Sequence, residues 1–381
     1  MHVLRKLFCN WEENDMVEWK ILGGICSIAT GKLNANEKDD NGVYPFFTCD
    51  AIPYRINKYA FDTEAILISG NGSQVGHLNY YKGKFNAYQR TYVLNCFKGI
   101  DIFYLFHYLK HTIRPYVMKK AKKGSVPYIT LPMLFDFQIP IPSKEEQTRI
   151  VEILDTFTAS IANLKEQIKE RRKQYEYYRD QLLDLEGKEG VVMKTLKEIF
   201  ETRNGYTPST KNEEFWVDGI IPWFKMEDIR DNGKILTDSN LHITSKAVKG
   251  KGLFKANSII LATSATIGEH ALILVDHLCN QRFTNFYPKK EFENLVNMKF
   301  YYYYMFIIDE WCKQHTHQGG FASVDMEGLY KLKIPVPTKE DQHRIVSILD
   351  QFEASIANLE AQLKEREKQY EYYRNQLLTF E

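Results

Sequence analysis

Residues 137–186 read FQIPIPSKEEQTRIVEILDTFTASIANLKEQIKERRKQYEYYRDQLLDLE, and residues 332–381 read LKIPVPTKEDQHRIVSILDQFEASIANLEAQLKEREKQYEYYRNQLLTFE. The two segments are identical at 34 of 50 positions, without a gap, at a constant offset of 195 residues. This offset is much longer than the about 20 to 50 residues of solenoid repeats. The chain of 381 residues therefore contains one duplicated module rather than an array of repeats.

Each copy predicts a short strand followed by a long helix. Pro142 and Pro337 end the strand-like stretch, because proline can neither continue a sheet ladder nor enter the interior of a helix. Ser143 and Glu146 then form a capping-box pattern, and the second copy has a weaker version of it. The helix is therefore expected to begin directly after Ser143 and at the matching place in the second copy.

Both predicted helices carry a heptad pattern, with apolar residues at alternating steps of four and three, which is typical of a coiled coil. The first seam is Ile150, Leu154, Phe157, Ile161, Leu164, Ile168, Arg171, Tyr175, Tyr178, Leu182 and Leu185, and the second copy repeats it. The simplest partner for each helix is the other one, and connectivity makes the pair antiparallel. Arg171 and Arg366 interrupt the seam, where polar residues commonly fix the register.

The repeat divides the chain into four segments. We expect globular domains over residues 1–142 and 188–337, and helices over 143–187 and 338–381. Short apolar runs alternate with glycine-rich turns in each domain, and one helical stretch follows them, so we predict a mixed α/β (α+β) fold. The domains resemble each other faintly, for example at Tyr44-Pro-Phe-Phe and Ile221-Pro-Trp-Phe, which suggests diverged copies of one fold. The expected molecule is a pseudo-twofold dumbbell.

The helices diverged much less than the domains, and their identity extends beyond the seam to polar positions. This favours an outer face that binds the same partner twice, whereas recent gene conversion of the helix-coding segments is the alternative. The candidate partner-binding residues are Lys173, Gln174, Glu176, Tyr177, Arg179 and Gln181, with Lys368, Gln369, Glu371, Tyr372, Arg374 and Gln376. Domains that keep a fold but change their surfaces suit the recognition of two different targets.

Charge is distributed unevenly along a chain whose net charge is +1. The net charge is +5 for residues 1–142 and +1 for 187–337, but −2 and −3 for the two helical segments, so the domains are the parts suited to phosphates. No run of about 18 apolar residues predicts a membrane span, and the N-terminus does not resemble a signal peptide. The six cysteines have no paired spacing, which is typical of reduced thiols in a cytoplasm.

The arrangement of a domain, an Ile-Pro-x-Pro motif, a Glu-Glu/Asp-Gln-x-x-Ile motif and a long helix, repeated once, resembles the specificity subunit of type I restriction–modification systems. The matching motifs are IPIPSKEEQTRI at 139–150 and IPVPTKEDQHRI at 334–345. The resemblance implies two target recognition domains that each read one half of a split double-stranded DNA site. It implies helices that set the spacing and dock two modification (methyltransferase) subunits, which use S-adenosylmethionine, and restriction subunits that join to cleave DNA. It also implies that this chain holds no cofactor and catalyses nothing.

Candidate DNA contacts lie in loops of both domains, although each also has an ordinary structural explanation. A basic loop and a glycine-rich loop of the first domain contribute Lys119, Lys120, Lys122, Lys123 and Ser125, and Asn71, Ser73 and His77; the second domain contributes Lys246, Lys249, Lys251 and Thr266. The pairs Gln89-Arg90 and Gln281-Arg282 recur at matched places. Glutamine and arginine can read base edges, but recurrence argues equally for a structural role. The run Tyr301–Tyr304 predicts a core helix rather than a base-stacking surface.

Signals for catalysis or metal binding are weak. Thr30-Gly31-Lys32 lacks the remainder of a phosphate-binding loop, and Cys312, His315 and His317 have no second half-site at zinc spacing, so we expect no metal. Methyltransferase and dinucleotide-binding motifs are missing, which argues against a self-contained DNA methyltransferase or nuclease. A two-headed scaffold that binds proteins but no DNA remains the main alternative.

Overall fold

The computed structural model describes residues 17–121, 126–317 and 322–380. The chain forms two compact units. Unit 1 consists of residues up to 166 and from 361 onward, and unit 2 consists of residues 167–360. Each unit therefore contains one mixed α/β domain and a part of each long helix. Within the described residues, no helix is both long enough and apolar enough to span a membrane.

The domain of unit 1 is built on a six-stranded sheet in the order β2-β7-β5-β6-β3-β4, beside a two-stranded sheet of β1 and β8. Neighbouring strands are antiparallel except for the parallel pair β3 and β6. The strands are β1 (Glu18–Ile21), β2 (Ser27–Thr30), β3 (Tyr44–Phe47), β4 (Tyr54–Ile56), β5 (Phe61–Ser69), β6 (Leu78–Ala87), β7 (Thr91–Asn95) and β8 (Gln138–Ile141). Three helices accompany them: α1 (Leu22–Ile25), α2 (Ile102–Lys120) and α3 (Leu131–Phe135).

The domain of unit 2 has a five-stranded sheet in the order β10-β17-β14-β15-β12, a three-stranded sheet in the order β13-β11-β16, and the pairs β18-β19 and β20-β9. The strands are β9 (Val192–Thr195), β10 (Phe200–Asn204), β11 (Ile221–Phe224), β12 (Ile235–Leu236), β13 (His242–Ile243), β14 (Ser258–Ala262), β15 (His270–Ile273), β16 (Leu278–Cys279), β17 (Phe283–Pro288), β18 (Thr316–His317), β19 (Ser323–Val324) and β20 (Lys333–Val336). The helices are α5 (Leu196–Ile199), α6 (Met226–Asn232), α7 (Met298–Gln314) and α8 (Met326–Lys331).

The two domains share one strand connectivity. The antiparallel series β10-β17-β14-β15 in unit 2 corresponds to β2-β7-β5-β6 in unit 1. A parallel pair follows in both domains, β3 with β6 in one and β11 with β16 in the other. The long strand β6 of unit 1 is represented by two shorter strands, β15 and β16, in unit 2. The mixed α/β fold predicted from the sequence is thus confirmed in both domains.

The long helices are α4 (Lys144–Leu183) and α9 (Lys339–Leu378), each of 40 residues. At 1.5 Å per residue each is about 60 Å long. The backbone N–H of Glu146 donates to the Ser143 hydroxyl at 3.2 Å, and that of Asp341 donates to the Thr338 hydroxyl at 3.1 Å, so both helices begin with the predicted caps.

Within each unit, the two long helices pack side by side in opposite directions. In unit 1, Phe157 of α4 lies 5.3 Å from Tyr373 of α9 between ring centroids, and Lys165 pairs with Glu367 at 2.9 Å. Residue numbers rise along one helix as they fall along the other. Unit 2 repeats this with Arg172 paired to Glu360 at 2.5 Å and Phe352 stacked on Tyr178 at 5.5 Å. The predicted antiparallel pairing is confirmed in each unit.

The seam arginines also have a repeated environment. The Arg366 guanidinium lies 5.6 Å from the centre of the Phe157 ring in unit 1, and the Arg171 guanidinium lies 6.0 Å from the Phe352 ring in unit 2. These are distances at which a cation is attracted to the negative face of an aromatic ring. A polar residue can therefore sit in the seam because the opposite helix offers a ring to it.

Each domain core extends into both long helices. In unit 1 the core includes Ile150 and Leu154 of α4, together with Leu377 and Leu378 of α9. The core of unit 2 correspondingly includes Leu183 of α4 and two buried residues of α9, Ile345 and Leu349. Tyr301, Tyr302 and Tyr303 are buried in α7, so the core helix predicted for the tyrosine run is confirmed.

Candidate DNA interface

Three loops and a turn meet at one end of the six-stranded sheet in unit 1. Gln89 and Arg90 form the turn between β6 and β7. The backbone N–H of Gly70, directly after β5, donates to the carbonyl of Arg90 at 2.9 Å, and the N–H of Gln89 donates to the carbonyl of Leu33 at 3.0 Å. The N–H of Ile129 donates to the carbonyl of Gly70 at 2.7 Å, which adds the segment after α2. We call this the loop cluster of unit 1.

Unit 2 has an equivalent loop cluster. Gln281 and Arg282 form the turn that precedes β17. The N–H of Thr263, directly after β14, donates to the carbonyl of Arg282 at 3.0 Å, as Gly70 does to Arg90 in unit 1. The N–H of Val324, in the segment after α7, donates to the carbonyl of Thr263 at 2.9 Å. The sequence likeness around the two Gln-Arg pairs therefore reflects an equivalent position in the two domains.

A glycine packs against the backbone of the turn in both clusters. A Cβ atom on Gly31 would lie 1.8 Å from the carbonyl oxygen of Ala87, and one on Gly205 would lie 2.2 Å from the carbonyl oxygen of Asn280. Only a residue without a side chain permits this approach. The glycine of Thr30-Gly31-Lys32 thus has a packing role, which accounts for its recurrence as Gly205.

The Gln and Arg side chains of both turns are exposed. The Gln89 amide donates to the Asn34 side chain at 3.0 Å, and the Gln281 amide accepts a hydrogen bond from the Thr207 hydroxyl. No hydrogen bond or ion pair joins the guanidinium of Arg90 or Arg282 to another residue that the structure describes. Each glutamine side chain is therefore hydrogen-bonded to a neighbouring loop, whereas each arginine guanidinium is exposed to solvent.

The other candidates of unit 1 fall into two groups. Asn71 and His77 are half-buried, with the Asn71 side chain 3.0 Å from the Cys49 thiol, whereas Ser73 is exposed and its carbonyl accepts from Arg114. Lys119 and Lys120 are exposed at the end of α2, and the Lys120 ammonium donates to a tyrosine hydroxyl at 2.7 Å. The remaining candidates, Lys122, Lys123 and Ser125, lie outside the described residues.

The lysine candidates of unit 2 lie on a segment that contacts Tyr206. The backbone N–H of Tyr206 donates to the carbonyl of Cys279 beside the turn, and its hydroxyl donates to the carbonyl of Ala247 at 2.9 Å. The segment that carries Lys246, Lys249 and Lys251 is thereby joined to the loop cluster. Lys246 pairs with Glu214 at 3.2 Å, and Thr266 is half-buried in the loop after β14.

Most of the repeated polar residues on the long helices are exposed. Tyr177 and Tyr372 expose 58% and 61% of their surface, which is unusual for large aromatic side chains. Arg179 and Arg374 differ, because both are only partly exposed and lie over aromatic rings of their own helices. Gln369 is also only partly exposed. The expectation of a shared outer face therefore describes the remaining positions better than these three.

Arg179 lines a cavity of unit 2 together with Lys234 and Phe306. The Arg179 guanidinium and the Lys234 ammonium lie 4.9 and 4.5 Å from the centre of the Phe306 ring. Burial lowers the pKa of Lys234 and raises the pKa of Glu353, another lining residue, because each charged form is poorly solvated there. Arg179 thus contributes to packing between α4 and the domain.

Two residues that the candidates do not include join each domain to its helix. Gln147 of α4 is buried; its side chain accepts from the N–H of Asp101 at 2.8 Å and donates to the carbonyl of Pro142 at 3.0 Å. Gln342 of α9 makes the same two bonds with Asn297 and Pro337, at 2.7 and 2.9 Å. The sequence signal that could have identified these two residues is the glutamine that recurs in the Glu-Glu/Asp-Gln motif.

An aspartate makes a second repeated joint. Asp155 of α4 lies 2.8 Å from the Nε2 atom of His107 on α2, and Asp350 of α9 accepts from the Tyr303 hydroxyl on α7 at 2.5 Å. Burial lowers the pKa of His107 and favours the neutral ring, whereas burial raises the pKa of Tyr303, a shift that the hydrogen bond to Asp350 reinforces. In both joints a neutral side chain therefore hydrogen-bonds to the aspartate, and the Lys299 ammonium adds an ion pair to Asp350 at 2.8 Å.

Among the described residues, no group of three or more histidine, cysteine or acidic side chains is arranged to hold a metal ion. Cys312 is buried in the core of unit 2, and His315 stacks on Trp311 with ring centroids 4.2 Å apart. Cys312 and His315 are thus engaged in packing, whereas His317 is exposed and lies 3.6 Å from Asp325.

Comparison with known proteins identifies the family. The family described as "Type I restriction modification DNA specificity domain" matches residues 14–171 and 188–368. The chain belongs to this family. The two matched segments correspond to the two copies of the module, and both loop clusters lie within them.

Two curated members of the type I specificity family illustrate the likeness. The specificity subunit of the Escherichia coli type I restriction enzyme EcoprrI is 50% identical over 196 residues, covering 49% of this chain and 49% of that subunit. The subunit of EcoR124I/EcoR124II, also from E. coli, is 40% identical over 260 residues, covering 64% of this chain and 62% of that subunit. The chain thus spans about half to just under two thirds of these two relatives.

A solved structure shares the fold over a longer span. The S subunit of a type I restriction-modification system from M. genitalium matches with a TM-score of 0.60 at 17% identity. The match covers 98% of this chain and 99% of that one. The arrangement of two domains and two long helices is therefore a fold that this chain has in common with an S subunit.

Proposed function

We propose that this chain is the DNA sequence-specificity subunit of a type I restriction–modification complex. Each domain reads one half of a bipartite double-stranded DNA site, and α4 and α9 set the spacing and dock the methyltransferase subunits. The observation that carries the proposal is a pair of domains with one fold and unlike loops, attached to helices that are nearly the same. A shared fold with changed loops suits two different targets, whereas a shared helix surface suits one kind of partner.

The loop clusters are the proposed DNA-binding surfaces. In unit 1 the loop after β5 accepts hydrogen bonds from Arg114 of α2, the helix that ends in exposed Lys119 and Lys120. The segment of residues 1–142 is the most basic part of the chain, with a net charge of +5. Phosphate contacts of such cations supply much of the affinity for DNA, and loops beside them can reach base edges. The long helices, with net charges of −2 and −3, are less suited to phosphates.

The exposed, repeated positions on α4 and α9 are the proposed docking sites for two modification subunits, and restriction subunits join the same complex. Tyr177 and Tyr372 are the strongest candidates, because exposed tyrosines are frequent anchors of protein interfaces. S-adenosylmethionine would bind to the modification subunit, and this chain would hold no cofactor and catalyse nothing. A cytoplasmic location follows from the proposal, because the DNA substrate is found there.

The test is an exchange of one domain. The chain is co-expressed with its modification subunits, and methylated adenines are mapped by sequencing genomic DNA, with and without the gene for this chain. We expect a split methylation motif that depends on this chain. When residues 188–337 are replaced by the matching domain of another family member, one half of the motif should change while the other half and the spacer stay the same.

Other outcomes would contradict the proposal. A motif that changes in both halves would contradict the assignment of one half-site to each domain. A complex that assembles but shows no salt-dependent affinity for DNA would instead favour a protein-binding scaffold, because phosphate contacts always weaken as salt rises. Binding of S-adenosylmethionine by the isolated chain, measured by calorimetry, would contradict the assignment of the cofactor to the partner.

A further inference from the structure

The Gln-Arg turn is shared by two loop clusters whose other loops differ. After β5, unit 1 has the sequence SGNGSQVGH at 69–77, whereas after β14 unit 2 has TSATIGEH at 263–270. The residues before the turns also differ, AY in one and CN in the other. Gln89-Arg90 and Gln281-Arg282 are nevertheless identical in type and in position. The Gln-Arg pair is therefore suited to bind a feature that is present in both targets.

The backbone holds each turn from two sides. A glycine lies against one side, since Gly31 and Gly205 leave no room for a Cβ atom beside the turn. On the other side, the arginine carbonyl accepts a hydrogen bond from Gly70 in unit 1 and from Thr263 in unit 2. The glutamine side chain adds a third attachment to the loop after β2 or β10. The arginine backbone is therefore fixed before any ligand binds.

The arginine side chain, in contrast, is exposed in both turns, and its guanidinium makes no hydrogen bond or ion pair to any other described residue. An arginine presents five donors in a planar fork that matches two oxygens of a phosphate, and it stays charged at all physiological pH values. A fixed backbone that presents an uncommitted guanidinium is suited to a charge-assisted bond with an anion outside the protein.

We propose that Arg90 and Arg282 bind phosphates of the DNA backbone, one in each half-site, and that the unlike loops around them read the bases. This inference rests on the proposed function. Two domains that read different bases still contact the same sugar–phosphate backbone. A residue that is identical in both domains can therefore bind this backbone, which both half-sites share. Sequence is then read by the loops after β5 and β14, where the domains differ.

The test compares the variants Arg90→Ala and Arg282→Ala in the complex with the modification subunits. The matched controls are Lys98→Ala and Lys290→Ala, which remove an exposed cation at the opposite ends of β7 and β17. Affinities are measured for duplexes with and without the methylation motif, over a series of salt concentrations. Because all four side chains are exposed, their removal should leave the melting temperature unchanged, and melting curves check this.

We expect each arginine variant to lose affinity for both duplexes by the same factor, about tenfold, which is the size of one charge-assisted hydrogen bond. The slope of log affinity against log salt should fall by about one for each arginine removed. Genomic methylation should keep the same motif at reduced occupancy. The two lysine controls should retain the affinity of the unmodified complex.

Two results would overturn the inference. Arginine variants that bind both duplexes as tightly as the lysine controls would show that the turns do not contact DNA. A methylation motif that becomes relaxed at one base, most tellingly a base that both half-sites share, would show that the arginines read bases. If the unmodified complex itself fails to bind DNA, the proposed function fails instead, so the two failures are distinguishable.

Discussion

Gln147 and Gln342 show how single residues fasten each domain to its long helix. Each is almost completely buried, and each bonds to the residue that caps the main helix of the domain, Asp101 or Asn297. A buried side-chain amide that hydrogen-bonds to a backbone N–H and a backbone carbonyl at once is costly to replace. Its two partners are buried and cannot form hydrogen bonds with water instead. These glutamines thus fix the angle at which the helix leaves the domain.

The variant Gln147→Leu tests this role. Leucine has a similar volume but no polar atoms, so the N–H of Asp101 and the carbonyl of Pro142 would lose a partner in a buried place. We expect the free energy of unfolding to fall by about 1–3 kcal/mol for each group left unpaired, measured by urea denaturation. The control Gln362→Leu, at an exposed position of α9, should change stability little. Equal effects of the two substitutions would contradict the assigned role.

At this scale the sequence showed which residues recur but not what they contact. The glutamine was visible as a repeated motif residue, yet its partner Asp101 lies 46 positions away in the chain, and no local pattern predicts that contact. The Gln-Arg turns show the same limit. Their recurrence was apparent from the sequence, whereas the exposure of the arginines and the attachment of the glutamines depend on how separate loops pack.

The long helices are the elements best predicted from sequence. Heptad spacing, caps and proline stops are local signals, and they placed both helices and their antiparallel pairing correctly. What the spacing could not predict is the surroundings of each seam position. Phe157 and Phe352 occupy the same place in the repeat, but Phe157 is buried whereas Phe352 is only half-buried. The difference arises from the domain that each helix contacts.

Alanine at these two positions should therefore have unequal effects. Phe157→Ala removes a buried ring that contacts Tyr370 and Tyr373 and should cost about 3–5 kcal/mol of unfolding free energy. Phe352→Ala should cost less, because part of its surface is already in water. Urea denaturation of both variants provides the comparison. A larger loss for Phe352→Ala would mean that the described packing of the two seam positions is wrong.

For the whole molecule, the sequence predicted the class of fold and the duplication, because repeated and periodic patterns carry that information. It did not predict the loop clusters, since each is formed by segments far apart in the chain that meet only through backbone hydrogen bonds. The bases that each cluster selects depend on the shapes of those loops. Base preference is therefore a property of tertiary packing that no spacing of residue types encodes.

The proposed spacing role of the helices predicts a measurable change. Inserting seven residues after Glu166 and seven after Glu365 would lengthen both helices by one heptad, about 10.5 Å. We expect the gap between the methylated half-sites to grow by about three base pairs, as read by sequencing. Insertion into one helix only should disrupt the paired seam and abolish methylation. An unchanged gap after the double insertion would rule out a ruler formed by the helices.

Unit 1 combines the first domain with residues 361–380, which are synthesised only after residues 167–360 of unit 2. Leu377 and Leu378 cannot enter their core until about 210 further residues have been made after the first domain and its half of α4. At the usual 5–20 residues per second this takes about 10–40 s. During synthesis the domain of unit 1 therefore exposes an apolar seam until residues 361–380 have been made.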